Sequence, residues 1–301
     1  MSYINQSNSL LYAVQPQDAG KSVQYILQNK LHISRTLIRE LKETGQICLN
    51  GSQVFSNQLV SYGDKVTATW QVPDQLITPS PLPLSIVYED EDLLVIDKQP
   101  NMLAHPVGKF QTDTVANAVI YHWKSSDTKA SFHPVNRLDR NTSGLMLIAK
   151  HKWIHQQLND LNANGRITKQ YLAVVHGTVS ADAGVISAPI ARLPGSIISR
   201  HVAENGQRSV THYQVIERFS LGTVVAVTLE TGRTHQIRVH FMHIGHPLYG
   251  DTLYGDSSEL ISRQALHAER LSFPHPRSLE QIECHAPVPD DIQLLLTKLN
   301  K

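Results

Sequence analysis

The segment from Gln71 to Leu84 carries four prolines, Pro73, Pro79, Pro81 and Pro83, and no other stretch limits the fold as sharply. Proline fixes φ and lacks a backbone N–H, so neither a helix interior nor a central strand can run through such a stretch. Prolines spaced this way read as an extended, semi-rigid linker. The chain is therefore expected to divide into a small domain over residues 1–72, a proline-rich linker over 73–84 and a larger domain over 85–301. With 301 residues, 41% of them hydrophobic, there is apolar material for a core in both parts.

The same arithmetic excludes several classes. No apolar run approaches the roughly 20 residues that a membrane-spanning helix needs. The first twenty residues carry no Lys or Arg ahead of their apolar patch, which argues against a secretory signal. Cys48 and Cys284 are too few for a disulfide framework or a four-thiolate zinc site, and the expected setting is the reducing cytoplasm. The balance of 27 Lys and Arg against 26 Asp and Glu gives a net charge of +1. A protein holding nucleic acid by bulk charge would be more basic, so any such binding must use a local basic surface. Arg137, Arg140, Lys150 and Lys152 crowd one short stretch, while acids gather elsewhere, at Glu89 to Asp92 and at Asp290 and Asp291.

In the small domain, residues 22–30 and 34–43 are predicted helices. Ser34 is placed to cap the second, Leu37, Ile38 and Leu41 share one face, and Gly45 is placed to end it. Asn50-Gly51 predicts a hairpin turn between two short strands, and residues 66–70 predict another strand. Arg35, Arg39 and Lys42 lie away from the apolar face of the second helix, which on its own describes only a solvated surface. In the larger domain, helices are predicted over 114–123 and 152–164. Strands are predicted over 93–97, 144–149, 169–175, 209–216 and 223–229. Long alternating runs favour antiparallel pairing. The expected class is α+β: a mixed, largely antiparallel sheet with a small N-terminal α/β domain.

Four segments carry chemistry: residues 133–150, 169–177, 229–251 and 263–276. Asp139 followed by Arg-Asn-Thr-Ser-Gly reads locally as a turn bonding its own backbone. Lys169, Tyr171, Ala173 and Val175 share one face of a strand, where a Tyr is ordinarily a core or rim aromatic. Thr234 is placed to cap a helix whose Ile237, Phe241 and Ile244 face inward, with Arg238 beside that stripe.

Taken together, RLDRNTSG, KQYLAVVHG, GRTHQIRVH and GHPLYGD resemble the pseudouridine synthases of the RluA type, which isomerise uridine in structured RNA. The resemblance extends from about Ile86 to Leu296. It implies that Asp139 is the catalytic aspartate and that Arg238 is its ion-pair partner. Arg137 is implied to enter the RNA in place of the flipped nucleotide, Tyr171 to stack on the target base, and Ile237 to form an apolar wall. Lys169, Arg233 and Arg140 fall at basic positions implied to lie near the RNA. Residues 20–72 resemble the RNA-binding domain named after ribosomal protein S-four, which implies that Arg35, Arg39 and Lys42 face structured RNA. The implied substrate is ribosomal RNA, with transfer RNA left open, and the implied state is a monomer without cofactor or metal.

The implied reaction breaks the ribose–nitrogen bond, turns the uracil and rejoins it through carbon-5. That needs an ionised carboxylate as nucleophile or base, and the sequence leaves open whether it attacks sugar or base or takes a sugar proton. Asn136 stands where this type usually has His, and the usual Asn-Lys-Pro is Asp97, Lys98, Gln99, Pro100. Two other readings compete: a metal-dependent hydrolase using His235, His240, His243 and His246, and a non-catalytic ribosome-assembly factor that binds RNA. The four histidines lack the helical two-His spacing with an intervening Glu.

Overall fold

Ser22 and Ser34 each accept a hydrogen bond from the backbone three residues on, at 3.2 Å in both cases, and these two caps start the paired helices of the small domain. In the computed structural model, which describes residues 8–43, 45–72, 76–108 and 111–300, that domain comprises β1 (Ser9–Ala13), α1 (Val23–Asn29), α2 (Arg35–Glu43), β2 (Gln46–Leu49), β3 (Ser52–Gln53) and β4 (Lys65–Thr69). Asn50 and Gly51 take φ of 52° and 85° between β2 and β3, the paired left-handed conformation a tight hairpin turn needs. The four strands form one antiparallel sheet in the order β1-β4-β2-β3. The sequence pattern did not predict β1: its alternation is irregular and its partner β4 lies more than fifty residues downstream.

The rest of the chain runs β5 (Ser85–Glu89), β6 (Leu93–Lys98), α3 (Val115–Ser125), β7 (His133–Pro134), β8 (Ser143–Ala149), α4 (Lys152–Ala163) and β9 (Thr168–His176). Then come β10 (Ala183–Ser187), β11 (Ile190–Arg192), β12 (Arg200–Val202), β13 (Val210–Arg218) and β14 (Gly222–Leu229). The chain closes with α5 (Gln236–His243), β15 (Leu266–Pro274), β16 (Gln281–His285) and α6 (Asp290–Leu299). A ten-stranded sheet follows the order β10-β13-β14-β9-β15-β8-β6-β5, with β7 beside β8 and β16 beside β15. Its pairings are antiparallel except β15 with β8, so the expected class holds.

That parallel contact is the seam of the molecule. Gly144 meets Ala268 there with φ of +110°, and a Cβ on it would lie 2.3 Å from the Ala268 carbonyl oxygen. Only glycine admits both that backbone and that approach. The turn carrying Asp139 enters β8 immediately before this point, with the Thr142 N–H bonded to the Asp139 carbonyl at 3.1 Å.

The linker is not a free tether where it is described; Pro73, which opens it, lies outside the described residues, as do residues 1–7 of the small domain. Ile77 is buried, the Ser80 N–H bonds the Asn117 carbonyl, and Asn117 Nδ2 bonds the Thr78 carbonyl at 2.7 Å. The small and large parts also share one core, in which Leu10, Ile26, Leu41 and Trp70 join Leu93, Leu147, Trp153 and Phe273. Trp153 Nε1 donates to the Leu31 carbonyl at 3.0 Å across the junction.

Two sequence expectations need correction. Lys150 and Lys152 do not extend a basic surface with Arg137 and Arg140: Lys150 is buried against Glu89 at 2.8 Å, and Lys152 pairs with Glu40. The turn from β8 into α4 places them opposite acids expected to lie elsewhere. Asp92 in the same region is held far below the usual carboxylate range; its burial acts the other way but is outweighed by Arg277 and His151. Thr234 does not cap α5. The cap position is His235, in the left-handed conformation with φ of 59°.

Gly144→Ala is expected to destabilise the protein by roughly 2–4 kcal/mol, from a forbidden φ and an overpacked seam. Thermal and urea unfolding would register it as a lower midpoint, and unchanged midpoints would show that the seam relaxes freely.

Candidate active site

The site begins with a buried guanidinium. Arg238 lies on α5 beside Ile237 and Phe241, whose apolar side chains pin that helix to the sheet, and only 7% of it remains exposed. Its Nε and Nη2 each bond one oxygen of the wholly buried Asp251, both at 2.7 Å. The planar fork is thereby oriented, and Nη1 is left to donate to Asp139 Oδ2 at 2.9 Å. Burial alone would favour loss of the Arg238 proton, but Asp251 and then Asp139 reverse this and raise its pKa further. Tyr254 covers the guanidinium with its ring, 5.0 Å away, while Leu253 and Tyr254 N–H groups bond Asp251 Oδ1.

The turn bearing Asp139 is gripped by two more buried basic side chains. Lys98 Nζ donates to the carbonyls of Gln99, Met102 and Arg140 at 2.8, 3.0 and 3.0 Å. Arg263 Nη1 donates to the Asn141 carbonyl at 3.0 Å, while Nε and Nη2 hold Asp291 at the start of α6. Burial, helped by Arg263, pulls the Lys98 amine down to about 7, with Asp139 and Asp97 opposing. Asn136, upstream of Asp139, receives the Leu147 N–H at 2.7 Å and donates to the Leu145 carbonyl, clamping the approach to β8.

Tyr171 projects from β9 into a cluster with Leu138, Ile237 and Ala268. Burial raises its phenol pKa strongly, and the negative charge of Asp139 adds to this. Asp139 itself is a quarter exposed. The carboxylate is thus part-open to solvent, where a substrate can reach it.

The profile of the RNA pseudouridylate synthase family matches residues 92–243. A Bacillus subtilis protein described as an uncharacterized RNA pseudouridine synthase, YjbO, is 44% identical over 271 residues, spanning 89% of this chain and 95% of its own. Ribosomal large subunit pseudouridine synthase D of Vibrio cholerae is 39% identical over 276 residues, covering 86% and 85% of the two chains. The solved structure of human RNA pseudouridylate synthase domain containing 1 superposes with a TM-score of 0.58 at 29% identity, covering 70% of this chain and 86% of that one. The chain belongs to the RNA pseudouridylate synthase family. It is an isomerase that converts uridine in RNA to pseudouridine, as the resemblance of its motifs to the RluA type implied.

In this synthase, Asp139, Arg238, Tyr171 and Ile237 come together as the motifs implied. Arg137 is exposed two residues before Asp139, and Arg140 is exposed with its Nε directed to the Asn101 carbonyl at 3.3 Å. Lys169 is engaged with Asn162 at 2.7 Å, and Arg233 is exposed with its Nε on the Arg208 carbonyl. Neither makes a contact with Asp139 among the described residues. His240 is buried between Thr211 and Ala188 and belongs to the core. No group of three metal-ligating side chains occurs among the described residues.

Sequence reasoning missed Asp251, Lys98 and Arg263. Asp251 stands in the quoted GHPLYGD, yet nothing in its spacing reveals that a buried Arg238 thirteen residues earlier needs it. It also lies beyond the segment that the family profile matches. Asp251→Asn is expected to cost about 3–5 kcal/mol, because it leaves a buried cation short of charge. It should also lower kcat by roughly 100-fold through misplacement of Nη1. Calorimetry with single-turnover tritium release from labelled RNA would measure both, and normal values for either would contradict this role.

Proposed function

We propose that this synthase modifies uridines of ribosomal RNA in the cytoplasm, as a monomer, with Asp139 as the reacting carboxylate. The observation that carries the reading is the ion pair of Asp139 with Arg238 at 2.9 Å, fixed from behind by Asp251 and set beside Tyr171. All these groups come from one chain, so this reading requires no residue from a second copy. The name of the Vibrio relative supports a large-subunit ribosomal substrate. Two cysteines, neither in a disulfide, support a reducing compartment.

A uridine inside folded RNA must leave its stack before its glycosidic bond can be reached, at a cost of a few kcal/mol. Arg137, exposed at the mouth of the turn, fills the vacated position in this reading, and Tyr171 offers its ring to the extruded base. Asp139 then acts on the sugar or the base, and Arg238 keeps its Oδ2 oriented while substrate covers the site and excludes water. The Tyr171 hydroxyl, close to the base edge, would relay the proton that leaves carbon-5 once the new bond to ribose forms, its oxygen taking that proton as its own O–H proton passes on toward the N1 freed from ribose. Ile237 walls the base, while Arg140, Lys169 and Arg233 lie along the path of the flanking backbone. Residues 1–72 act as the S-four-like RNA anchor, 73–84 as linker and 85–301 as the catalytic domain. Arg35, Arg39 and Lys42, all exposed at i, i+4 and i+7 of α2, form the anchoring face.

Asp139→Asn is expected to abolish pseudouridine formation while leaving RNA affinity within about threefold, since a neutral isostere keeps most contacts. Pseudouridine mapping of ribosomal RNA from cells carrying the variant would test it, and undiminished modification would dismiss the reading. Tyr171→Phe keeps the ring and loses the hydroxyl, so its expected outcome is normal binding with lost turnover. The small domain shares its core with the rest, so deleting it would expose apolar surface; a triple Ala substitution of Arg35, Arg39 and Lys42 is the cleaner probe. It is expected to lower the slope of log affinity against log salt by roughly 2. An unaltered slope would place the anchor elsewhere.

A further inference from the structure

The placement of His235 in GRTHQIRVH is explained by neither core packing nor the Arg238 ion pair. It adopts φ of 59° at the start of α5, a conformation that a non-glycine residue takes at a cost. The ring is nearly buried, and its Nε2 lies 3.8 Å from Asp139 Oδ2, the same oxygen that receives Arg238. Its Nδ1 lies 2.7 Å from the Tyr254 hydroxyl. That hydroxyl accepts the Arg200 N–H at 2.9 Å and has its own proton free to donate to Nδ1. An Nδ1 that accepts leaves the neutral ring's proton on Nε2, aimed at the carboxylate. The opposite tautomer would set a nitrogen lone pair against a carboxylate lone pair. Burial pushes this imidazole down, with Arg238 and Arg200 acting the same way and Asp139 and Asp251 opposing, which favours the neutral ring.

We propose that His235, locked by Tyr254 as its Nε2–H tautomer, is a positioning residue that donates a second hydrogen bond to Asp139 when RNA closes the site. At 3.8 Å the contact is still open, and an approach of about 0.8 Å brings it to hydrogen-bond length. Such contacts commonly tighten only in the substrate complex. Asp139 Oδ2 is then held between a guanidinium and an imidazole N–H. One donor fixes where Oδ2 is, and two occupy both of its lone pairs and leave Oδ1 as the oxygen free to react. The inference rests on Asp139 being the reacting carboxylate.

Nitrogen-15 NMR of the full chain labelled at histidine reads the tautomer directly, with His235→Gln identifying the resonance. An Nε2–H tautomer is the expected result, and an Nδ1–H tautomer would overturn the proposal without any appeal to activity. In single-turnover and steady-state assays, His235→Leu is expected to lower kcat about tenfold, as for one lost hydrogen bond to a charged group. KM should stay within about twofold, because the bond acts on the reacting carboxylate rather than on RNA binding. His235→Gln carries the same backbone strain but keeps an N–H, and is expected to recover most of kcat. Tyr254→Phe frees the ring to choose its tautomer and should fall between them. Equal kcat for Leu and wild type, or no recovery by Gln in a protein of normal melting temperature, would overturn the role. Asp139→Asn, assayed alongside, separates the two ideas. An active Asn variant removes the underlying reading, whereas an inactive one beside a fully active Leu variant overturns only the part given to His235.

Discussion

A guanidinium removed from water is expensive unless opposite charge and hydrogen bonds meet it within the protein, and Arg238 is almost wholly removed. Asp251 meets it with both oxygens, so the plane of the fork and the direction of its remaining nitrogen are set before any substrate arrives. Asp139, a quarter exposed, receives what is left over. The asymmetry separates two tasks. The buried pair carries the electrostatic balance of the interior, and the half-open pair, in the reading proposed above, carries the chemistry. Removing Asp251 therefore disturbs fold and activity together, whereas a neutral Asp139 should disturb activity far more than fold.

The same division recurs at the turn. Lys98 and Arg263 bond the consecutive carbonyls of Arg140 and Asn141, and each reaches them from a different part of the chain, the end of β6 and the entry to β15. Between them runs the parallel contact of β15 with β8, where Gly144 lets the two backbones close. A short turn with few residues of its own to pack is thus fixed by basic side chains anchored elsewhere. Its rigidity is borrowed from both halves of the sheet. Through Asp291 it also draws on α6, so a change in the last helix can reach the site without touching it.

Local rules made much of this legible. Serine caps, an Asn-Gly turn and period-two alternation gave the helix pair, the first hairpin and five of the ten strands of the large sheet to within one or two residues. The motif residues Asp139, Tyr171, Ile237 and Arg238 meet where their resemblance implied. What escaped were interactions with no period. Asp251 reaches Arg238 through a loop, and Lys98 reaches Arg140 across strands. Lys150 and Lys152 look basic in a linear reading only because Glu89 and Glu40 are distant in sequence. Thr234 failed as a cap for a related reason: a local rule chose the better capping residue, while in the fold the cap position falls to His235, whose left-handed backbone accompanies a ring 3.8 Å from Asp139.

The shared core alters what the linker means. Prolines alone suggest two bodies on a tether, for which the outer one would raise only the effective concentration of RNA near the site. Here Trp70 and Trp153 join the two parts, and the described linker lies along α3 with its own hydrogen bonds. The basic face of α2 and the carboxylate of Asp139 are consequently held at a fixed spacing. If both meet RNA, as proposed, a substrate must present its uridine and its anchoring phosphates at that spacing. Discrimination among uridines then comes from the shape of the folded RNA, in keeping with a protein whose net charge is too small to bind every RNA equally.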